Sequence, residues 1–253
     1  MKIYIQSNKF QNLAANVSKY SFERFGHEVN IMNIEENEFL KSKFDKKLLR
    51  NGKKINYKND LQSFTFLRFL APQLNNYNDL ILVIDPDIFA LKDPNEILKN
   101  DSDEFDIWCT YQNAIPRSEV MLINAKKIKW DFEKIINDVF NFKIDYSNLM
   151  RLSFDNKLKI NKISKRFNSH DYIEQDTVLL HTTNRMTQPW KLNLQIDFEK
   201  NYSKGYLFKQ KFKKFLKMRY DEKSISTKYI LHNEKNVINS VQSLFKEAYS
   251  NGF

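Results

Sequence analysis

Apolar and polar residues alternate with two different periods along the first part of the chain. Residues 2–6 (KIYIQ) are typical of a strand, residues 12–24 place apolar side chains close to one helical face, and residues 28–34 alternate with a period of two. Gly26 stands where the helix should end, since glycine accepts the left-handed conformation of a helix C-terminus. This order predicts two parallel strands joined by a right-handed helical crossover.

Similar patterns continue along the rest of the chain. Residues 80–84 (LILVI) carry no charge, which predicts a strand buried on both faces. The other predicted elements are a loop with a short helix over 35–60, a Phe-rich helix over 63–74, a short helix over 93–98, strands over 105–110, 120–124 and 178–180, and helices over 134–142 and 237–253, with 148–166 unassigned. We expect an α/β fold with a single mixed, mainly parallel sheet flanked by helices over residues 1–197, and a basic helical extension over 198–253.

Composition narrows the class of protein. With 253 residues, 42% of them hydrophobic, the chain can build a large core and is not a disordered protein. The single cysteine, Cys109, argues against a disulfide framework and a cysteine zinc site. Only four glycines are present, which excludes a Walker A loop and a G-x-G-x-x-G turn, so a bound diphosphate must be met by a metal and by side chains. The N-terminus lacks a signal-type apolar segment, and we expect a cytoplasmic protein.

The net charge of +10 indicates anionic partners, although a lysine-rich composition is also common in AT-rich genomes. Residues 204–223 concentrate this charge in an amphipathic pattern, with apolar residues at helical spacing (Phe208, Phe212, Phe215 and Leu216). Two interpretations stay open. The helix either docks peripherally on an anionic membrane carrying a lipid-linked acceptor, or packs its phenylalanines on the core with the lysines in solvent.

The candidate chemistry begins with Asp85-Pro86-Asp87, directly after the predicted strand 80–84. In an extended segment, side chains two residues apart point to the same side, so both carboxylates can approach one divalent cation. Carboxylate oxygens are the ligands that Mg²⁺ and Mn²⁺ prefer. The alternative is that this triplet is only the polar end of a strand entering a turn.

His181 ends another predicted strand and is followed by a polar turn and Gln188-Pro189-Trp190-Lys191. An imidazole joining two carboxylates would make a plausible Mn²⁺ site. A structural, hydrogen-bonded histidine is the alternative.

Four ordered segments together resemble a known family. They are FTFLRFLAP around Arg68, the Asp85-x-Asp87 triplet, SEVMLINAKK over 118–127, and HTTNRMTQPW from His181. This set is similar to the retaining glycosyltransferases of the family 8 type. The resemblance implies the GT-A fold, Mn²⁺ (or Mg²⁺), and a nucleotide-sugar donor, most typically a UDP-sugar.

The resemblance also implies roles for individual residues. Asp85, Asp87 and His181 would be metal ligands, with Asp85 also reaching the ribose. Arg68 would contact the donor and act with the two aspartates in catalysis; a buried ion pair that holds its helix is the alternative role. The further candidates for donor binding are Gln6, Ser7 and Asn8 near the base, Asn124 near the sugar, and Gln188 and Lys191 near the diphosphate.

Two departures from the family pattern matter. Gln188 stands where members commonly place a lysine, so Lys191, Arg185 or the metal would have to compensate. Tyr146-Ser147-Asn148-Leu149 occupies about the place of the usual Asp-Gln-Asp beside the donor sugar. Both leave the donor and the retention of configuration open.

We therefore expect a metal-dependent glycosyltransferase acting on a glycan or lipid-linked acceptor. One rival is a basic nucleic-acid-binding protein, but no nucleic acid is expected because most phenylalanines fall in apolar stripes and no RNA- or DNA-binding signature is present. The second rival is a catalytically inactive family member that serves as a scaffold.

Overall fold

The computed structural model of the chain describes residues 1–58, 60–100, 104–200 and 202–253. The strands are β1 (Lys2–Ser7), β2 (Glu28–Asn33), β3 (Lys47–Arg50), β4 (Lys53–Asn56), β5 (Leu80–Ile84), β6 (Ile88–Ala90), β7 (Ile107–Gln112), β8 (Ile115–Asn124), β9 (Ile160–Lys162), β10 (Ser169–His170) and β11 (Leu179–His181). The α-helices are α1 (Asn12–Glu23), α2 (Glu38–Lys41), α3 (Ala71–Leu74), α4 (Phe132–Phe140), α5 (Tyr146–Met150), α6 (Lys204–Phe215), α7 (Glu222–Ile225) and α8 (Lys235–Ser250). Short 3-10 helices cover Ile34–Glu36, Ser63–Phe69, Pro94–Asn100, Lys165–Phe167, Arg185–Thr187 and Pro189–Lys191.

The main sheet has six strands in the order β2-β1-β5-β8-β7-β9. Strand β1 is parallel to β2 and β5, and β7 is parallel to β9, whereas β8 runs antiparallel to both of its neighbours. This confirms the predicted α/β class with a mixed, mainly parallel sheet. Two smaller sheets accompany it, β10-β11-β6 and the hairpin β3-β4. Strands of two to four residues are too short for hydrophobic periodicity to reveal.

The uncharged run of β5 follows from its central position. Ile81 and Val83 pack into the hydrophobic cluster on one face of the sheet, and Leu82 and Ile84 pack into the cluster on the other. All four side chains are fully buried. Burial of each such aliphatic side chain stabilises the fold by about 1.5–3 kcal/mol. A charge can therefore first occur where the strand ends, which is at Asp85.

Two segments differ from the sequence-based prediction. Residues 35–60, expected to be a loop with a short helix, also contain the hairpin β3-β4. The Phe-rich segment is not one helix, because a 3-10 helix over Ser63–Phe69 gives way to α3, where Pro72 lies in the first turn. Proline fits there because the first backbone N–H groups of a helix have no partner within it.

The C-terminal helices differ from each other in what covers their apolar faces. Helix α8 packs Val237, Val241 and Leu244 into a cluster with Val17 of α1, as its pattern predicts. The phenylalanines of α6 instead lie largely in solvent, so the interpretation of α6 as a core-packed helix was wrong. Over the described ranges, no helix has the length and apolarity to cross a membrane. The domain boundary after residue 197 stays a prediction.

Candidate active site

The candidate site lies at one edge of the main sheet. Because β1 and β5 are parallel, Gln6 near the end of β1 and Asp85 just after β5 emerge at the same edge. Strand β8 runs the other way, so its first half, with Ser118 and Glu119, lies at this edge too. The Asp85 backbone N–H donates to the Glu119 carbonyl oxygen at 3.1 Å. Polar residues from three separate parts of the chain are thereby fixed side by side.

Asp85, Asp87 and His181, called the triad below, each present one ligand atom, and these atoms lie within 4.8 Å of one another. Strand β11 pairs antiparallel with β6, which places His181 opposite Ile88 and therefore next to Asp87. The His181 Nε2 atom is 3.4 Å from the Asp87 Oδ1 atom. Two carboxylate oxygens and one imidazole nitrogen suit Mn²⁺ or Mg²⁺, which fill their other positions with water and phosphate oxygens.

A hydrogen-bond network orients the His181 ring for this role. Its Nδ1 atom is 2.8 Å from the Asn168 side-chain oxygen, while the Asn168 Nδ2 atom donates to Thr110 Oγ1 and Glu119 Oε2 at 3.0 and 3.1 Å. Since the amide nitrogen serves as donor, its oxygen is assigned as the acceptor and Nδ1 of His181 carries a hydrogen. In the neutral ring, Nε2 then presents its lone pair to the carboxylates, as a metal ligand must.

Burial and charge shift the protonation of these groups. Burial raises the pKa of Asp85 to about 6, although Arg68 and His181 act in the opposite direction. Burial alone would lower the pKa of His181, but the carboxylates of Asp87, Glu119 and Asp85 outweigh it and raise that pKa to about 9. Burial opposes ionisation of Glu119, yet His170, His181 and Arg117 hold its pKa well below the usual range. Without a metal, the carboxylates therefore stabilise a protonated His181.

Arg68 is buried and connects several of these residues. Its guanidinium donates to Asp85 Oδ1 at 2.8 Å, to Gln6 Oε1 at 3.3 Å and to Ser118 Oγ. Gln6 also donates to the same Asp85 oxygen. The buried ion pair proposed as the alternative role of Arg68 is therefore present, and its partner is the first carboxylate of the triad.

Two cavities border Asp85. The triad cavity, about 330 Å³, contains Asp85, Asp87 and His181. The arginine cavity, about 230 Å³, also reaches Asp85 and contains Arg50, Arg68, Arg117 and Arg151. Glu119 and Arg117 border both cavities.

Gln188 and Gln11, both in the wall of the triad cavity, carry buried polar atoms without a partner. Gln188 is 1% exposed, and neither polar atom of its side chain has a hydrogen-bond partner among the described residues; the Gln11 side-chain oxygen also has none there. Leaving such an atom unsatisfied costs about 1–3 kcal/mol. Unsatisfied amides in a cavity wall beside a metal-type triad fit a polar ligand.

No family model and no curated protein matches this chain. Solved structures do match it. One is the galactosyltransferase LgtC in complex with donor and acceptor sugar analogs, with a TM-score of 0.53 and 16% identity over 75% of this chain and 89% of LgtC. Another is the glycosyltransferase GlyE of Streptococcus pneumoniae TIGR4, with a TM-score of 0.52 and 14% identity over 99% of this chain and 63% of GlyE. The chain has a glycosyltransferase fold.

The GT-A-type fold implied by the sequence resemblance is thus confirmed, and within it some predicted residues lie away from the site. Ser7 and Asn8 are fully buried. The Asn8 amide nitrogen donates to the Asp60 carbonyl oxygen at 2.7 Å and to Ser63 Oγ at 3.0 Å. Asn8 therefore holds the loop after β1, and its contact with a base stays a prediction, as does that of Ser7.

Asn124 and Lys191 also lie outside the two cavities. Because β8 is antiparallel to β5, Asn124 at its end pairs with Leu80, at the opposite edge of the sheet from Asp85. The Lys191 ammonium donates to Asp197 at 2.7 Å and is largely buried. In the structure this side chain makes a local ion pair, and its role beside a diphosphate, as a substitute for the lysine that the family commonly places at the position of Gln188, stays a prediction.

Glu119 and His170 were not among the site residues predicted from the sequence. Glu119, His170 and His181 form a second group with ligand atoms within 4.8 Å of one another. Since the Nδ1 atom of His181 faces Asn168, only Nε2 is left to ligate, so this group and the triad compete for it. A signal for Glu119 existed, namely a carboxylate at the start of the apolar run VMLI. His170 lies in a two-residue strand and carried none.

Proposed function

We propose that this protein is a metal-dependent glycosyltransferase that moves a sugar from a nucleotide-sugar, a UDP-sugar by the resemblance, to a glycan or lipid-linked acceptor with retention. The observation that supports this most is the triad of Asp85, Asp87 and His181, in a polar cavity of a glycosyltransferase fold. The solved structure of LgtC, which shares this fold, holds donor and acceptor sugar analogs.

The residues of the site would have different roles. Asp85, Asp87 and His181 would hold Mn²⁺ or Mg²⁺, which when bound supplies Lewis-acid stabilisation of the departing diphosphate. Arg68 and Gln6 fix the orientation of the Asp85 carboxylate. Gln188 offers an amide N–H where the family commonly has a lysine.

An amide hydrogen bond supplies no charge, so the diphosphate needs another cation besides the metal. Arg185 lines the same cavity and is placed to contribute it. Positive groups aimed at charge that develops in the transition state are a general source of rate acceleration.

Calorimetry with UDP-, GDP- and CMP-sugars, with and without Mn²⁺, tests the proposal. We expect Mn²⁺-dependent binding of one nucleotide class in the wild type, its loss in Asp87→Ala, and its retention in Asp176→Ala, an exposed carboxylate outside both cavities. Absence of nucleotide binding under all conditions would overturn the proposal. Binding without sugar transfer to any glycan or lipid acceptor would indicate the inactive scaffold.

Helix α6 supports the lipid-linked acceptor and a place at the cytoplasmic membrane surface. Phe208, Phe212 and Phe215 are 73%, 53% and 81% exposed. All the charged residues of this helix are lysines. An apolar stripe beside lysines is typical of helices that lie in the interface of anionic membranes.

Sedimentation with vesicles tests this part separately. We expect binding to vesicles containing phosphatidylserine, weak binding to pure phosphatidylcholine, and a loss of roughly tenfold in the double variant Phe208→Ser/Phe212→Ser. Tyr249→Ser, which alters an exposed aromatic residue of α8, should bind as the wild type does. Equal binding of all variants would rule out α6 as the membrane contact.

A further inference from the structure

The arginine cavity carries more positive charge than its own carboxylates neutralise. Four guanidinium groups, from Arg50, Arg68, Arg117 and Arg151, line it together with two carboxylates, those of Asp85 and Glu119. Among these lining residues, the positive charges outnumber the negative charges by two.

The pairing inside the cavity shows which arginines are in excess. Arg68 is paired with Asp85 at 2.8 Å, and Arg117 donates its Nε–H to Glu119 at 3.0 Å. Each carboxylate of the cavity is thus already matched by one arginine.

Arg50 and Arg151 remain without a carboxylate. Arg50 lies over the Tyr146 ring, 5.3 Å from its centroid, and donates a long hydrogen bond of 3.4 Å to Gln62. The Arg151 guanidinium has neither an ion pair nor a hydrogen bond to any residue that the structure describes. These two groups are free to bind an anion.

Their common position is built into the fold. Arg50 is the last residue of β3, and Arg151 directly follows α5. The Asp145 carboxylate, at the start of α5, accepts hydrogen bonds from the backbone N–H groups of Asn51 and Gly52 at 3.1 and 2.8 Å. The tip of the hairpin is thereby tied to α5, and both arginines line one cavity.

The arginine cavity adjoins the triad cavity across Asp85, so a sugar joined to a diphosphate at the triad can extend into it. A neutral hexose would make no ionic contact with these two guanidinium groups, whose side chains are exposed. A carboxylate is matched by the planar guanidinium fork through charge-assisted hydrogen bonds. We propose that the transferred sugar carries an acidic group, and that the donor is a nucleotide-linked uronic acid bound through Arg50 and Arg151. This inference rests on the proposed function.

Calorimetry in Mn²⁺ with UDP, UDP-glucose and UDP-glucuronic acid tests the inference. We expect the wild type to bind UDP-glucuronic acid about tenfold or more tightly than UDP-glucose, which corresponds to about 1.4 kcal/mol or more. Arg151→Gln and Arg50→Gln should each remove most of this preference and leave the affinity for UDP unchanged. Arg219→Gln, an exposed arginine after α6, is the matched control and should keep the full preference.

The outcomes separate this inference from the proposed function. Binding of UDP with equal affinity for both sugars would overturn the uronic-acid donor and leave the glycosyltransferase standing. If the two variants instead weaken only the binding of a phosphorylated or acidic acceptor, the anion belongs to the acceptor and the donor assignment is overturned. No binding of UDP or of other nucleotides would overturn the proposed function itself.

Discussion

The triad cavity and the arginine cavity share Asp85, but the chain builds them in different ways. The triad stands at the ends of short buried strands, where the backbone ladder fixes Asp85, Asp87 and His181 to within a few ångströms. The excess arginines stand on a hairpin and just after a short helix, and both are exposed. Under the proposed function, the metal ligands are held rigidly by strands, while the residues that would select the sugar stand on a hairpin and after a short helix.

The largest expected effect separates the two cavities directly. Asp87→Asn removes a ligand charge from the triad cavity alone, and we expect the Mn²⁺ affinity to fall by roughly 100-fold, the upper end of what loss of supporting residues costs in metal sites. Arg151→Gln changes only the arginine cavity and should leave Mn²⁺ affinity as it is. Calorimetric titration of Mn²⁺ measures both, and a similar loss in the two variants would contradict the separation.

Arg68→Met removes the guanidinium group that is paired with Asp85, the carboxylate that borders both cavities. Asp85 is largely buried, so removing its cationic partner leaves an uncompensated carboxylate, and we expect a loss of about 3 kcal/mol in the free energy of unfolding at pH 7. The double variant Arg68→Met/Asp85→Asn should recover much of that loss, because the charge of Asp85 is then removed together with that of its partner. Urea unfolding compares the two, and equal stability of the single and double variants would show that the ion pair does not hold the site.

The sequence could predict the triad cavity because its residues interrupt patterns. An uncharged strand followed by Asp85 and Asp87 indicates a site, since carboxylates cannot be packing residues there. His181 likewise interrupts an apolar pattern, since it directly follows the run VLL. The three also meet as predicted, although β11, which carries His181, lies far along the chain from β5 and β6, which flank the two aspartates.

The arginine cavity could not be predicted from the same kind of pattern. Arg50 and Arg151 are single charges among many in a basic chain. The hairpin β3-β4 and the short helix α5, which place them, are too short to show periodicity. Glu119 reaches the site only because β8 is antiparallel, and the apolar run of β8 does not reveal its direction. For α6, periodicity identified the apolar face correctly, but not that solvent covers it.

Competition between protons and the metal should affect binding in the triad cavity and hardly affect binding in the arginine cavity. A metal binds the neutral imidazole, while the pKa of His181 without metal is about 9, so metal binding at lower pH must expel a proton. The apparent Mn²⁺ affinity should therefore rise by about tenfold per pH unit from about pH 6 towards pH 9 and level off above it. Near pH 6 and below, protonation of Asp85 should steepen the dependence.

Titration of Mn²⁺ at several pH values measures this slope. His181→Gln should bind Mn²⁺ weakly with a flatter dependence above pH 6, since the proton that competes in this window is gone. A wild-type affinity that is constant between pH 6 and 9 would contradict a protonated His181 in the free protein.

The smallest effects distinguish the buried wall of one cavity from the exposed wall of the other. Gln188→Leu removes two buried polar atoms that have no partner among the described residues, so we expect the ligand-free protein to become more stable by about 1 kcal/mol. The same change should weaken nucleotide binding severalfold, because the ligand loses a hydrogen bond. Arg151 is exposed, so Arg151→Gln should leave the stability unchanged. Thermal unfolding with and without UDP and Mn²⁺ checks both; a Gln188→Leu protein that is less stable and binds UDP normally would show that Gln188 serves the fold and not the ligand.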